Sequence, residues 1–146
     1  MAGVSLPEPP APVGAYAPVV IRRGIGFVSG HFPFRDNVLA FRGRVGAELC
    51  VRNGEEACRI TALNVLAHIA AVTRQFADLG GLLRLDGYVA SAEGFYAQAA
   101  ILDHASHLFV EALGTKGEHA RTAFAVPRLP LDAPIELSVT FALAAN

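Results

Sequence analysis

Arg121 interrupts an otherwise apolar strand in the segment Gly117–Glu136, GEHARTAFAVPRLPLDAPIE, which runs on through a proline-rich turn to a carboxylate. A guanidinium keeps its proton and is costly to bury alone, so Arg121 has to face an anion. That anion could be internal, Glu136 or Asp132, or it could be a small organic acid held by two parallel hydrogen bonds. His119, two residues earlier, falls on the same side of an extended strand, and Glu136 is expected on the strand beside it. Such a set can recognise a small carboxylate and place a proton or a water next to it.

Other chemistries find less support. Ser29, in VSGH, lacks the G-x-S-x-G elbow of a strained serine nucleophile, and Gly24, Gly26 and Gly30 do not form the phosphate-cradling G-x-G-x-x-G. Cys50 and Cys58 are separated by seven residues without a C-x-x-C pair, which reads as reduced, inert thiols. His104 and His107 share one helix face but have no H-E-x-x-H context, so an exposed face is expected and no metal. His68 is expected on a helix surface or an interface, with His31 and His119 at segment ends.

The balance of 12 basic to 13 acidic side chains gives no global field for nucleic acid or an anionic membrane. Hydrophobic residues make up 53% of the chain and mean hydropathy is +0.40, yet the longest central apolar run, Ile60–Thr73, is closed by Arg59 and Arg74. That run is too short to cross a bilayer, so the surplus apolar surface is expected to be buried between identical subunits. The N-terminus has neither a basic region nor an apolar stretch of the export type, and a cytoplasmic protein is expected.

These residues need a frame. Prolines 7, 9, 10, 12 and 18 make residues 1–18 an extended arm of a single domain expected to span residues 1–146. Val19–Arg22 and Gly26–Ser29 flank a tight turn, and a third short strand is expected near Val38–Arg42. Asn53 with Glu56 marks a helix start, and Ala62, Leu66, Ile69, Val72, Phe76 and Leu79 carry its stripe to a stop at Gly80. Leu82–Ala90 reads as a strand and Phe95–Leu113 as a second helix ended by Gly114. Closing strands are expected at about His119–Val126 and Pro134–Phe141, the latter alternating Ile135, Leu137, Val139 and Phe141 with Glu136, Ser138 and Thr140. The order β-β-(β)-α-β-α-β-β fits an α+β sheet covered by helices on one face, its other face meeting water or a partner.

The segments VGAY (13–16), FVSGHFP (27–33), FVEALG (109–114), GEHARTA (117–123) and RLPLDAPIE (128–136) resemble the YjgF/RidA family, also called the L-PSP endoribonuclease family. The resemblance is greatest to a longer branch with a G-x-H-A-R-[ST]-A segment. It implies a chorismate-mutase-like subunit in a homotrimer, with active sites in clefts between subunits and no metal or organic cofactor. The activity implied is hydrolysis of reactive 2-enamine and 2-imine acids, such as 2-aminoacrylate, to 2-keto acids and ammonia. Arg121 would grip the substrate carboxylate and Glu136 would help place water, with Tyr16, Ser29, Asp103, His119 and Ala123 lining the substrate. Ala123 stands where the archetype has cysteine, His31 replaces a glutamine, and Asp103 replaces an asparagine, so that a carboxylate there either repels an acid or selects a different one. A non-catalytic trimer binding small carboxylates is the alternative, and a ribonuclease the weaker one.

Overall fold

Apolar side chains recur at every second residue in the last strand and every third or fourth in two long segments, and the backbone obeys both periods. The computed structural model describes residues 3–146, in the order β1 (Val19–Arg22), β2 (Ile25–His31), β3 (Phe34–Arg35), β4 (Val38–Leu39), α1 (Val51–Val72), β5 (Leu79–Ala90), α2 (Gln98–Leu113), β6 (Ala120–Val126) and β7 (Ile135–Leu143). One sheet has the strand order β1-β2-β7-β5-β6, and within it β5 and β6 alone run parallel. A parallel pair needs a long crossover, which α2 supplies. Both helices pack on one face, giving an α+β architecture.

The core lies between helices and sheet. Leu85 and Val89 of β5 and Ile135, Leu137, Val139 and Phe141 of β7 meet Leu66 and Ile69 of α1 and Leu102 and Phe109 of α2. Gly87 lets α2 come close, since a Cβ there would lie 2.6 Å from a Leu102 methyl. The opposite face is open in one chain and carries Glu136, Ser138 and Thr140, as the alternation of β7 predicts. It also bears Phe27, 52% exposed, and Phe124, 38% exposed, the latter stacked on Tyr88 at 4.8 Å between ring centroids.

Several boundaries differ from the sequence reading, each for a local reason. Val38–Leu39 pairs with Phe34–Arg35 in a separate hairpin, so the third strand does not join the sheet. The helix α1 starts at Val51, before Asn53, because Asn53 acts from inside the first turn and its Oδ1 accepts the Cys50 N–H at 3.1 Å. It ends at Val72, well before Gly80. There the Thr73 hydroxyl donates to the Ile69 carbonyl at 2.6 Å and accepts the Phe76 N–H at 3.2 Å, while Arg74, Gln75 and Phe76 take left-handed φ values of 50°, 55° and 72°. Gly80 is instead a strand residue whose Cβ would lie 2.7 Å from the Leu143 carbonyl oxygen. The second helix begins at Gln98, whose side-chain amide donates to the Phe95 carbonyl at 2.7 Å and fixes the approach.

Candidate active site

Arg121 projects from β6, an edge strand, toward α2. Its Nη1 donates to Asp103 Oδ1 at 2.8 Å and to Ser106 Oγ at 3.2 Å, and its Nη2 donates to the Ala99 carbonyl at 3.3 Å. The arginine side chain is 22% exposed and that of Asp103 51%. The anion expected opposite Arg121 is therefore Asp103, on the helix, and neither Glu136 nor Asp132; Asp132 pairs with Arg128 at 2.7 Å. Among the described residues three of the five guanidinium N–H groups are engaged, leaving the Nε–H and one Nη2–H without partners there.

His119 completes a chain of hydrogen bonds to this arginine. Its Nδ1 lies 2.6 Å from the Gly117 carbonyl, which can only accept, so the proton is assigned to Nδ1. Nε2 then accepts from the Ser106 hydroxyl at 2.9 Å, and the Ser106 oxygen in turn accepts from Arg121. The ring also packs edge-on against Phe109 at 5.6 Å. The sequence reading does not single out Ser106. Its signal was the i, i+3 spacing from Asp103 in DHAS, which puts both on one side of α2 facing β6. Asp103, Ser106, His119 and Arg121, with Glu118 and His107, line an open hollow of about 340 Å³.

The remaining predicted residues gather elsewhere. Tyr16, Ser29, Gly30, Phe32, Pro130 and Glu136 line a second hollow of about 480 Å³. The Ser29 hydroxyl donates to the Ala17 carbonyl at 2.7 Å and its N–H to Pro18 at 2.9 Å, which ties the N-terminal arm against β2 and brings Tyr16 to the hollow. Burial raises the pKa of Glu136 above the ordinary carboxylate value.

Glu136 is not on the strand beside Arg121, because β5 intervenes. Arg121 pairs in register with Leu85 and Leu85 with Val139, whereas Glu136 pairs with Tyr88 and Tyr88 with Phe124. Alternation then sends Arg121 to the helix face and Glu136 to the open face. Ala123, in register with Gly87, is on the same face as Arg121 but does not line its hollow.

The other candidates have structural partners. His104 lies 2.5 Å from Glu55, and among the described residues no group of three or more His, Cys, Asp or Glu side chains could hold a metal ion. His68, expected on a helix surface or an interface, is buried within the chain, where it stacks on His31 at 4.5 Å while its Nε2 meets the Pro10 carbonyl at 2.8 Å. Burial, with a smaller contribution from His68, pushes His31 down to about 4, and its Nε2 is buried without a partner. Cys58 is buried and its thiol is pushed up to about 12, while Cys50 lies exposed at the start of α1. Among the described residues no helix is long and apolar enough to cross a membrane.

A family model described as "YjgF/chorismate_mutase-like, putative endoribonuclease" matches residues 1–144. Protein TCP17 of Trypanosoma cruzi is 32% identical over 136 residues, which cover 92% of this chain and 85% of that protein. A solved structure described as a "putative endoribonuclease" from Shewanella oneidensis is 30% identical with a TM-score of 0.92, covering 97% of this chain and 93% of that one. A protein of unknown function from Agrobacterium tumefaciens is 29% identical with a TM-score of 0.89, covering 98% and 87% of the two chains.

Proposed function

We propose, for a chain that belongs to the YjgF/chorismate-mutase-like family, that it is an enzyme hydrolysing 2-enamine and 2-imine acids to 2-keto acids and ammonia. The observation that carries this reading is Arg121, a largely covered guanidinium at the wall of an open hollow with two N–H groups unengaged. Two N–H groups are what a carboxylate takes in a bidentate contact. With the acid group fixed, the adjacent imine carbon is already electrophilic, and the protein need only orient it and position one water.

Water adds to the C=NH2⁺ carbon, the tetrahedral adduct passes a proton to nitrogen, and the C–N bond breaks to leave the keto acid and NH4⁺. Glu136, with its raised pKa, is suited to exchange a proton with that water or with the departing nitrogen. Its position on the face opposite Arg121 is met by a homotrimer in which one copy supplies Arg121 and Asp103 and its neighbour supplies Glu136 and Tyr16. The open sheet face, with Phe27 and Phe124 uncovered in one chain, is the apolar surface such an assembly would bury.

The test is ammonia release from 2-aminoacrylate generated in situ. Wild type should accelerate it and Arg121→Ala should not, whereas no acceleration over buffer at high protein concentration rejects the reading. The ribonuclease named in the family description finds less support, because six arginines, at 35, 44, 74, 84, 121 and 128, are paired with carboxylates and form no basic stripe.

A further inference from the structure

We infer that Asp103 makes the Arg121 hollow selective for acids with a cationic nitrogen beside the carboxylate, as in a 2-amino acid or a protonated 2-imino acid, and against the 2-keto acid that hydrolysis leaves. This rests on the reading of Arg121 as the carboxylate clamp and adds to it a second, nitrogen-recognising group. Asp103 spends one oxygen, Oδ1, on Arg121 Nη1, and its other oxygen has no partner among the described residues while half the side chain is open to solvent. The arginine can therefore take a ligand carboxylate on its two free N–H groups without releasing Asp103.

Charge decides which acid that is. Of the fixed charges lining the hollow, Arg121 is the sole cation, against the carboxylates of Asp103 and Glu118. A keto acid brings one more negative charge into a site whose arginine is already matched by Asp103, and like charges a few ångströms apart oppose one another. An acid that carries its own cation adds no net charge, and its N–H groups are the donors that the free Asp103 oxygen lacks. A nitrogen one carbon away from the carboxylate is also the closest cation such an acid can offer, which suits an Asp103 carboxylate held on Nη1 of the same guanidinium. Loss of the nitrogen in the reaction then removes the contact with Asp103, and the product is left facing a carboxylate.

Calorimetric titrations at about pH 8, where histidines are largely neutral, with 2-aminobutyrate and 2-ketobutyrate test this on wild type, Asp103→Asn and Arg121→Ala. Wild type should bind the amino acid at least about tenfold more tightly than the keto acid, and Asp103→Asn should abolish or invert that ratio, chiefly by gaining affinity for the keto acid. Asp103 is on the helix surface, so the near-isosteric asparagine leaves the fold intact, which an unchanged thermal midpoint confirms. An unchanged ratio in Asp103→Asn, with both ligands lost in Arg121→Ala, overturns the selectivity and leaves the clamp standing. Failure of wild type to bind either acid, or equal binding by Arg121→Ala, overturns the clamp and the selectivity together.

Discussion

Arg121 and Glu136 stand on opposite faces of one sheet, on strands that β5 keeps apart. Two strand spacings alone separate their backbones by about 10 Å, and the side chains then diverge. No rotamer change within a chain brings the guanidinium to the carboxylate. Each residue nevertheless lines a hollow of its own: a largely covered guanidinium in one, a carboxylate of raised pKa in the other.

Complementation between variants follows from this division. Arg121→Ala and Glu136→Gln should each be inactive alone. Coexpressed in equal amounts, they should recover about one quarter of the wild-type rate, since about three quarters of random trimers are mixed and each mixed trimer has one intact site of three. Ammonia release from the coexpressed, copurified mixture measures it. A mixture as inactive as its parents would mean that the two residues do not share a site across the boundary.

Ser106 links Arg121 to His119, accepting from the guanidinium and donating to the ring. Ser106→Ala leaves the arginine short of one acceptor and the histidine short of its donor. Affinity for 2-ketobutyrate should fall about five- to tenfold, about 1 to 1.4 kcal/mol and within the range of one ordinary hydrogen bond, and Ser106→Thr should restore most of it. Calorimetry decides, and equal affinity in Ser106→Ala would show that the serine plays no part in positioning Arg121.

Periodicity reports which side chains face the core better than it reports the backbone that carries them. Phe76 and Leu79 do pack against the core as the stripe predicts, but they arrive through a left-handed turn and a strand after α1 has ended. The alternation of β7 and the stop at Gly114 are local properties and agree with the sequence reading. Strand order is not local. The parallel crossover through α2 inserts β5 between β6 and β7, so the expected adjacency of Arg121 and Glu136 fails although both strands lie close to their expected positions. Ser106 carries no signature of its own, and its role becomes visible once α2 lies against β6.

Buried neutral histidine makes the fold sensitive to acid. His31 falls to about 4 in the folded chain, through burial first and the charge of His68 second, against an ordinary value of 6.5. Between these values the unfolded chain binds the proton that the folded chain refuses, so stability is full above the ordinary value and is lost progressively toward the folded one. The loss from His31 is on the order of 3 kcal/mol. Glu136, whose pKa is raised, works in the opposite direction, so the comparison must be with a variant that leaves it in place. His31→Phe keeps the ring stack on His68 and fills the same volume. Urea unfolding from about pH 7 to about pH 4.5 should show a shallower fall for His31→Phe than for wild type, and parallel profiles would remove His31 as the cause.

Gly30 keeps space for the Glu136 carboxylate. Its backbone is not left-handed, so alanine is conformationally permitted there, but the added Cβ would fall inside the position of the Glu136 carboxylate group. The end of a half-buried side chain can move aside, and stability should change by less than about 1 kcal/mol, because the lost freedom of the unfolded chain offsets part of the strain. Activity has no such slack, since displacing a catalytic carboxylate by about 1 Å can cost on the order of a hundredfold in rate. Gly30→Ala should therefore reduce ammonia release at least tenfold (about 1.4 kcal/mol of barrier) while retaining binding of 2-aminobutyrate at Arg121 on the other face. Wild-type turnover in Gly30→Ala, with the fold unchanged, would take Glu136 out of the mechanism.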